Sequence, residues 1–285
     1  MKKILVTGAY GQLGSEIKKI AHLYPEFDFT FTDRDTLSLE DSKAIQDCFE
    51  QLKPDYCINC AAYTAVDKAE TDVELADIIN HTAVGVIAEC CTKYNCKLVH
   101  VSTDYVFDGT SSIPLKEDAL TGPINVYGKT KLDGELACMA NNKESIIIRT
   151  AWVYSEYGNN FVKTMMRLMN ERDSISVVND QIGSPTYAGD LAHVIVEIIH
   201  NKNWVSGLYH FSNEGEISWF DFAKDIKSII NSNCEVTGIP ASNYPTPAKR
   251  PAYSLLDKSK IKETFGITVP YYKDSLQVCI KQLEQ

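Results

Sequence analysis

Short apolar runs alternate with segments of helical periodicity along the first half of the chain. The apolar runs predict strands at residues 3–7, 27–32, 56–61, 97–102 and 145–149. Between them, apolar residues recur at helical spacing in segments 13–23, 41–52, 73–94 and 129–141. Strands that alternate with helices of this length indicate a parallel sheet with helices on both faces. The continuous apolar run from Ile146 to Ile148 is typical of a strand buried on both sides.

The pattern becomes looser after Arg149. Residues 174–178 and 208–211 predict strands, residues 191–199 and 219–230 predict helices, and four prolines make 240–251 a loop. We therefore predict an α/β fold: a doubly wound, Rossmann-like parallel sheet with a smaller C-terminal part that binds the substrate. The predicted division is a dinucleotide-binding domain at 1–150 and a mainly substrate-binding part at 151–285, with some later segments returning to the first domain.

Composition and charge exclude several classes of protein. Apolar residues make up 44% of the 285 residues and charged residues 23%, as in ordinary globular proteins. No apolar run reaches the roughly 18 residues of a membrane span. Gly8 interrupts the first apolar stretch too early for a signal peptide, so we expect a cytoplasmic protein without a membrane partner. The net charge of −10 argues against nucleic-acid binding but not against a small anionic ligand.

Two of the nine cysteines, Cys57 and Cys60, form a C-x-x-C pair that admits redox chemistry or a zinc site. The pair lies in a strand-like segment, and no second cysteine pair or paired histidines stand nearby in the sequence. We therefore interpret the cysteines as buried free thiols, which suits a reducing compartment.

Gly8, Gly11 and Gly14 have the spacing G-x-x-G-x-x-G between the first strand and the first helix. Such a turn lets backbone N–H groups, here including those of Gln12 and Leu13, approach a pyrophosphate at the helix N-terminus. The alternative is a tight turn without a ligand. The order of strand, turn and helix favours a dinucleotide site.

Asp33 and Arg34 follow the second strand, where coenzyme choice is commonly decided. A carboxylate at this position binds the ribose hydroxyls of NAD, whereas an arginine pairs with the 2′-phosphate of NADP. The two residues favour opposite coenzymes, so the sequence leaves this choice open.

Tyr127 and Lys131 are four residues apart, which places both on one face of a helix. An ammonium near a phenol favours phenolate, so this pair predicts a lowered tyrosine pKa. Thr103 and its neighbour Ser102 end the fourth predicted strand, at the edge where doubly wound sheets bind ligands. We predict hydride transfer from a nicotinamide to a ketone carbon, with Tyr127 as proton donor, Thr103 or Ser102 on the substrate oxygen, and Lys131 also on the nicotinamide ribose.

Eight blocks of sequence, in order along nearly the whole chain, are similar to one family. They are TGAYGQLG at 7–14, NCAAYTAVDKAE at 59–70, STDYVFDG at 102–109, YGKTKLDGE at 127–135, RTAWVYS at 149–155, NFVKTM at 160–165, VVNDQIGSPT at 177–186 and RPAYSLLD at 250–257. The chain resembles the dTDP-4-dehydrorhamnose reductases, which are extended short-chain dehydrogenases/reductases. The resemblance implies reduction of the 4-keto group of dTDP-4-dehydro-L-rhamnose to dTDP-L-rhamnose, for surface polysaccharide, with NADPH and often NADH.

The resemblance also implies roles for individual residues. The catalytic trio becomes Thr103, Tyr127 and Lys131, which selects Thr103 over Ser102. The coenzyme would contact Ala61, Ala62, Tyr63 and Asn80, and Asn80 would also steady the site. The sugar nucleotide would contact Val66, Thr103, Phe107, Trp152, Asn160 and Arg250, with Arg250 on the pyrophosphate, although Phe107 and Trp152 are equally suited to a core.

Some family members form dimers that hold magnesium between acidic side chains of both subunits. Glu16 matches one of these positions. The other ligands are not recognisable in the sequence, so a homodimer and magnesium stay options and no metal ligands are assigned.

Two other functions are compatible with part of this sequence pattern. A sugar-nucleotide epimerase has the same glycine turn and tyrosine–lysine pair, but keeps its NAD bound through turnover. A regulatory subunit resembling the beta subunit of methionine adenosyltransferase needs no catalytic trio. The intact trio favours an enzyme.

Overall fold

The computed structural model describes residues 1–201 and 204–284. Its strands are β1 (Lys2–Thr7), β2 (Phe27–Thr32), β3 (Tyr56–Asn59), β4 (Lys97–Thr103), β5 (Ile146–Thr150), β6 (Val153–Tyr154), β7 (Ser174–Val178), β8 (Ile182–Gly183), β9 (Thr186–Tyr187), β10 (Gly207–His210), β11 (Ile217–Ser218) and β12 (Glu235–Ile239). Its α-helices are α1 (Gln12–Ile20), α2 (Ser42–Leu52), α3 (Val66–Ala69), α4 (Val73–Asp77), α5 (Ala83–Lys93), α6 (Val126–Asn141), α7 (Phe161–Glu171), α8 (Ala188–His200), α9 (Trp219–Ile229), α10 (Ser259–Phe265) and α11 (Tyr272–Leu283). A π-helical turn covers Ile78–Thr82, and 3₁₀ turns cover Ala21–Leu23, Asp104–Val106 and Ala241–Asn243.

Six strands form one parallel sheet in the order β10-β5-β4-β3-β1-β2. The chain starts inside the sheet at β1, moves outward to β2, and then returns to the other side of β1 for β3. This reversal creates a crevice between the carboxyl ends of β1 and β3, the usual ligand site of such sheets. The predicted α/β doubly wound class is confirmed.

Two helical layers bury the two faces of the sheet. α1 and α8 cover one face, where Ile4 and Val6 of β1 meet Ile17 and Leu191. α2, α5 and α6 cover the other face, on which Leu5 lies. Successive residues of β1 therefore enter different cores, which explains why this strand is apolar without alternation.

The second half of the chain both completes the sheet and builds a separate layer. β10 pairs with β5 at the sheet edge, and α8 packs on α1. The pairs β6–β9, β7–β12 and β8–β11 join α7, α9 and α11 around a core of their own. None of the described helices combines the length and the apolarity that crossing a bilayer requires.

The predicted helix at 73–94 is interrupted by the π-helical turn. This turn brings the carbonyl group of Asn80 against α6, where a Cβ on Gly134 would lie 2.0 Å from the Asn80 oxygen. Only glycine permits this close packing of the turn on α6. Such turns are often found at functional sites.

The nine cysteines are free thiols, as predicted. Cys57 packs in the core under α2 and α5, whereas Cys60 packs against the core under α1 and α8. The two thiols of the C-x-x-C pair therefore contribute to opposite faces of the sheet.

Candidate active site

A tight turn joins β1 to α1 and carries the three spaced glycines. Gly8 has a left-handed backbone (φ +72°), and a Cβ on it would lie 2.8 Å from the Ala61 nitrogen. A Cβ on Gly14 would lie 2.2 Å from the Gly8 oxygen, so α1 can start this close to β1 only with glycine. The N-cap residue is Gly11, which has no side chain to cap the first N–H groups. The helix N-terminus therefore offers these groups and its positive dipole to an anion.

Gln12 and Leu13 form the first turn of α1. Leu13 is buried, so its N–H group is what it can offer to a ligand. Gln12 reaches the segment after β5, because its Nε2 donates to the Val153 oxygen (3.2 Å) and its Oε1 accepts from Asn160 Nδ2 (3.0 Å).

Asn160, which was predicted to contact the sugar, takes part in this contact through its side-chain amide. Its Nδ2 also donates to the Ser155 oxygen (2.7 Å), and its Oδ1 accepts from the Lys163 nitrogen (3.1 Å) as the N-cap of α7. With both ends of the amide engaged, Asn160 holds the segment between β6 and α7 against the glycine turn.

Asp33 and Arg34 lie in an exposed turn after β2. Asp33 Oδ1 accepts from the nitrogens of Asp35 and Thr36 and from the Thr36 hydroxyl. Hydrogen bonds from Thr36 lower the pKa of Asp33, so its carboxylate is fixed and ionised. Arg34 pairs with Glu40 (2.8 Å) but is 77% exposed, which leaves it accessible to a ligand. This geometry is compatible with NAD, through Asp33, and with NADP, through Arg34.

Residues Ala61, Ala62 and Tyr63 form the half-buried loop that leaves β3 beside Gly8. Asn80 fixes this loop, because its Oδ1 accepts from the Tyr63 nitrogen (2.8 Å) and its Nδ2 donates to the Tyr63 oxygen (3.1 Å). The same Nδ2 donates to the Thr130 hydroxyl on α6 (3.1 Å). Asn80 is itself buried, so the predicted direct coenzyme contact is replaced by the predicted steadying role.

Tyr127, Thr103 and Lys131 converge at the carboxyl end of β4. Tyr127 and Lys131 are both buried on α6, and the hydroxyl of Thr103 is close enough to the phenol of Tyr127 to lower its pKa. Lys131 Nζ donates to the Val101 oxygen on β4 (2.6 Å). Ser102 instead donates to Glu135 (2.5 Å), and this hydrogen bond is buried in the core. Thr103 is therefore the hydroxyl that stands beside the phenol.

The predicted lowering of the tyrosine pKa is wrong. Burial raises the pKa of Tyr127 to about 12, partly offset by the nearby hydroxyl of Thr103. Burial also lowers the pKa of Lys131 to about 8. Desolvation is the largest cause of both shifts, and the ammonium contacts the backbone oxygen of Val101. The tyrosine therefore keeps its proton at neutral pH, which is the form that a proton donor requires.

Asp104 was missed by the sequence argument, although it directly follows Thr103. Its Oδ1 accepts from the Thr103 hydroxyl (3.0 Å), and its Oδ2 has no partner among the described residues. Burial raises the pKa of Asp104 to about 6, partly offset by the nearby hydroxyls of Ser254 and Thr103. A buried carboxyl with an open oxygen beside the trio belongs to the candidate site.

Val66 and Arg250 approach the trio from different parts of the chain. Val66 begins α3 and packs in one apolar cluster with Tyr63, Tyr105 and Tyr127. Arg250, in the proline-rich loop, binds Asp67 through both terminal nitrogens (2.9 and 2.8 Å). Asp67 was also missed, since only the fold brings α3 to this loop.

Phe107 lies in the core instead of facing the cleft. It is 1% exposed, and its ring centroid lies 5.0 Å from the Arg149 guanidinium and 5.9 Å from the His210 ring. The structure thus favours the packing role for Phe107 over the predicted sugar contact.

Trp152 is half-buried and has a left-handed backbone (φ +48°), which is strained for an aromatic residue. Its ring stacks on Trp219 with centroids 3.7 Å apart. A Cβ on Gly183 would approach the indole to 3.0 Å. Stacking on Trp219 and close packing on Gly183 fix the ring just after the carboxyl end of β5. Ligands of doubly wound sheets bind at this edge.

Glu16, the residue matched to a magnesium position, is buried beside Glu156 and Lys19. Lys19 Nζ lies 2.5 Å from Glu156 Oε1 and 3.9 Å from Glu16 Oε2. Burial, and then the hydrogen bond with Glu156, raise the pKa of Glu16. A carboxyl that keeps its proton beside an ammonium is a poor ligand for magnesium, which prefers ionised oxygen donors. Glu16 therefore does not offer the ionised oxygen that the resemblance implies.

Comparisons with known proteins agree with this geometry. The profile of the family described as "RmlD substrate binding domain" matches residues 1–285. The dTDP-4-dehydrorhamnose reductase of Aggregatibacter actinomycetemcomitans is 42% identical over 277 residues, with 94% of each chain covered. The solved reductase from Clostridium acetobutylicum is 41% identical with a TM-score of 0.95, covering 99% of this chain and 100% of its own. The Bacillus anthracis reductase, solved in complex with NADP, is 38% identical with a TM-score of 0.94 and the same coverage.

Proposed function

The chain belongs to the dTDP-4-dehydrorhamnose reductase family, and on this premise we propose that it reduces the 4-keto group of dTDP-4-dehydro-L-rhamnose with a nicotinamide coenzyme, giving dTDP-L-rhamnose. The observation that carries the proposal is the buried Tyr127, which keeps its proton next to the Thr103 hydroxyl at the carboxyl end of β4. A regulatory protein has no need for such an arrangement.

A bound nicotinamide coenzyme supplies the hydride that goes to the ketone carbon. The glycine turn fits its pyrophosphate, because Gly11 at the N-cap of α1 has no side chain to occupy the first N–H groups of the helix. Tyr127 gives its proton to the substrate oxygen as negative charge develops there. Thr103, whose hydroxyl donates to Asp104 in the structure, would turn to donate a second hydrogen bond to that oxygen. Lys131, which α6 places against β4, would hold the nicotinamide ribose. Trp152 and Val66 position the sugar, and Arg250 its pyrophosphate.

We assign coenzyme binding mainly to residues 1–150 and substrate binding mainly to 151–285. The crevice at β1 and β3 supports the first assignment, and the position of Trp152 and Arg250 supports the second. β10 and α8 are the later segments that return to the coenzyme domain.

The proposed reaction is tested by following NADPH and NADH oxidation with dTDP-4-dehydro-6-deoxy-L-mannose, generated in situ. UDP- and CDP-linked analogues measured in parallel define the nucleotide. Turnover with the dTDP sugar and not with the analogues is expected. A wild type that reduces none of these 4-ketosugars contradicts the proposal, and NAD retained through purification would favour an epimerase.

Arg34→Ala should raise the KM for NADPH more than the KM for NADH. The exposed guanidinium is proposed to leave Glu40 and bind the 2′-phosphate, which NADH lacks. Steady-state kinetics with both coenzymes measure this difference. Arg172→Ala, which removes another exposed arginine, is the control and should change neither KM. Equal changes for both coenzymes would make Arg34 an ordinary surface charge.

The value of kcat/KM should fall as the pH rises through about 8. Burial lowers the pKa of Lys131 to about 8, so the ammonium is present below this pH and is lost above it. Tyr127, at about 12, stays protonated throughout. A pH profile of kcat/KM measures the decline, since this ratio reports groups of the free enzyme. Lys131→Arg stays charged at this pH, so the decline in kcat/KM should disappear in this variant. A decline that persists in Lys131→Arg would come from another titrating group.

A further inference from the structure

We propose that Asp67 is a positioning residue, which holds Arg250 so that one edge of its guanidinium is presented to the diphosphate of the sugar nucleotide. The inference rests on the proposed function, and adds a residue to which no role has been given so far. Arg250 alone would be a long, flexible side chain, whose ordering opposes binding.

The hydrogen bonds of Arg250 are divided between two edges of its guanidinium. Nη1 donates to Asp67 Oδ1 (2.9 Å) and to the Ala248 oxygen (2.8 Å), and Nη2 donates to Asp67 Oδ2 (2.8 Å). Three of the five N–H bonds are therefore used. The remaining two, on Nε and Nη2, have no partner among the described residues and lie parallel on one edge. This edge has the fork geometry that binds phosphate oxygens in pairs.

Asp67 is itself fixed to the loop that carries Arg250. Its Oδ1 accepts from the Ala248 nitrogen (3.1 Å). The hydrogen bonds from Arg250, and then the one from Ala248, hold the pKa of Asp67 below its usual range despite opposition from burial. The carboxylate thus stays ionised, and the pair with Arg250 persists at neutral pH.

The same segment fixes the distance between Arg250 and the catalytic helix. Glu70, which follows α3, accepts from the Val126 nitrogen at the start of α6 (2.9 Å). Asn125, the N-cap of α6, donates to the Lys249 oxygen (2.7 Å). These contacts connect the guanidinium to the helix that carries Tyr127. Because the distance between Arg250 and Tyr127 is fixed, a substrate whose diphosphate binds Arg250 would have its keto group placed against the Tyr127 phenol.

Charge alone argues for the opposite effect, since a carboxylate near the site repels a diphosphate. Asp67 is 42% exposed, so water screens this repulsion. Ordering a free arginine on binding is expected to weaken affinity by about 2- to 10-fold. Preorganisation should therefore outweigh repulsion.

The test compares Asp67→Ala, Arg250→Ala and the double variant. Calorimetry with dTDP as the probe gives the dissociation constant, and kinetics give kcat and both KM values. Asp67→Ala should raise the dTDP dissociation constant and the sugar-nucleotide KM by about 2- to 10-fold, with kcat and the coenzyme KM little changed. In the Arg250→Ala background the same substitution should have no effect, because it acts only through Arg250. Asp47→Ala, which removes an exposed carboxylate on α2, is the control.

Equal effects of Asp67→Ala in both backgrounds, or tighter dTDP binding by this variant, would overturn the inference. The dTDP titration needs no turnover, so it reports on Asp67 separately from the proposed reaction. A wild type that binds dTDP but reduces no 4-ketosugar contradicts the reaction and leaves the positioning result intact.

Discussion

Tyr127→Phe should lower kcat by about 10²–10⁴-fold, the usual contribution of a positioned proton donor. The substitution removes one oxygen and keeps the buried ring, so the packing against Val66 and Tyr105 should persist. Coenzyme affinity should stay near that of the wild type, because the glycine turn is untouched. Stopped-flow measurement of NADPH oxidation under single-turnover conditions isolates the chemical step from product release.

Tyr94→Phe is the matched control, because Tyr94 lies at the end of α5 and outside the candidate site. It should leave kcat unchanged. If Tyr127→Phe keeps most of the wild-type rate, the proton comes from another group. Asp104, the buried acid bonded to Thr103, would then be the first candidate.

Glu135→Ala should lower the free energy of unfolding by about 3–5 kcal/mol, the usual cost of removing one partner of a buried ion pair. Arg149 is 3% exposed and binds Glu135 through Nε (2.9 Å) and Nη2 (2.7 Å), and Ser102 adds a third bond. Without the carboxylate, the guanidinium stays buried and uncompensated under the sheet. Urea denaturation followed by circular dichroism measures the loss.

Glu171→Ala breaks an exposed pair with Arg167 and should change stability by less than about 0.5 kcal/mol. A double variant, Glu135→Leu with Arg149→Met, should recover much of the loss, since apolar residues of similar size can replace a buried pair. A Glu135→Ala protein within about 1 kcal/mol of the wild type would show that water or a rearranged side chain satisfies Arg149.

The sheet could be predicted because its strands enter two cores at once. Residues 27–32 and 174–178 were predicted with the bounds that the structure has for β2 and β7. β6, β8, β9 and β11 have two residues each, too few for any periodicity. α7 was not predicted although Val162, Met165 and Met169 form an apolar stripe along it. The π-helical turn depends on the contact between Asn80 and Gly134, which no local pattern indicates.

The candidate site could be predicted where its residues share one element. Tyr127 and Lys131 share a helix, and their common burial beside Thr103 follows from their spacing and from the end of β4. Their pKa values could not be predicted, since desolvation depends on everything packed around them. Asp67 and Trp219 gain their contacts only through the fold, from partners 183 and 67 residues away. The roles given to these residues stay predictions until the variants are measured.

The position of β10 has a consequence for synthesis on the ribosome. β5 enters the sheet as soon as residue 150 has emerged, but its outer edge stays unpaired until residues 207–210 follow. During this interval the apolar backbone from Ile146 to Thr150 is an open template for strands of neighbouring nascent chains. In a protein made from a gene fragment that ends at the apparent domain boundary, the outer edge of β5 would stay unpaired permanently. Gene fragments that encode the coenzyme-binding half should therefore extend through residue 210, beyond the point at which the sequence pattern changes.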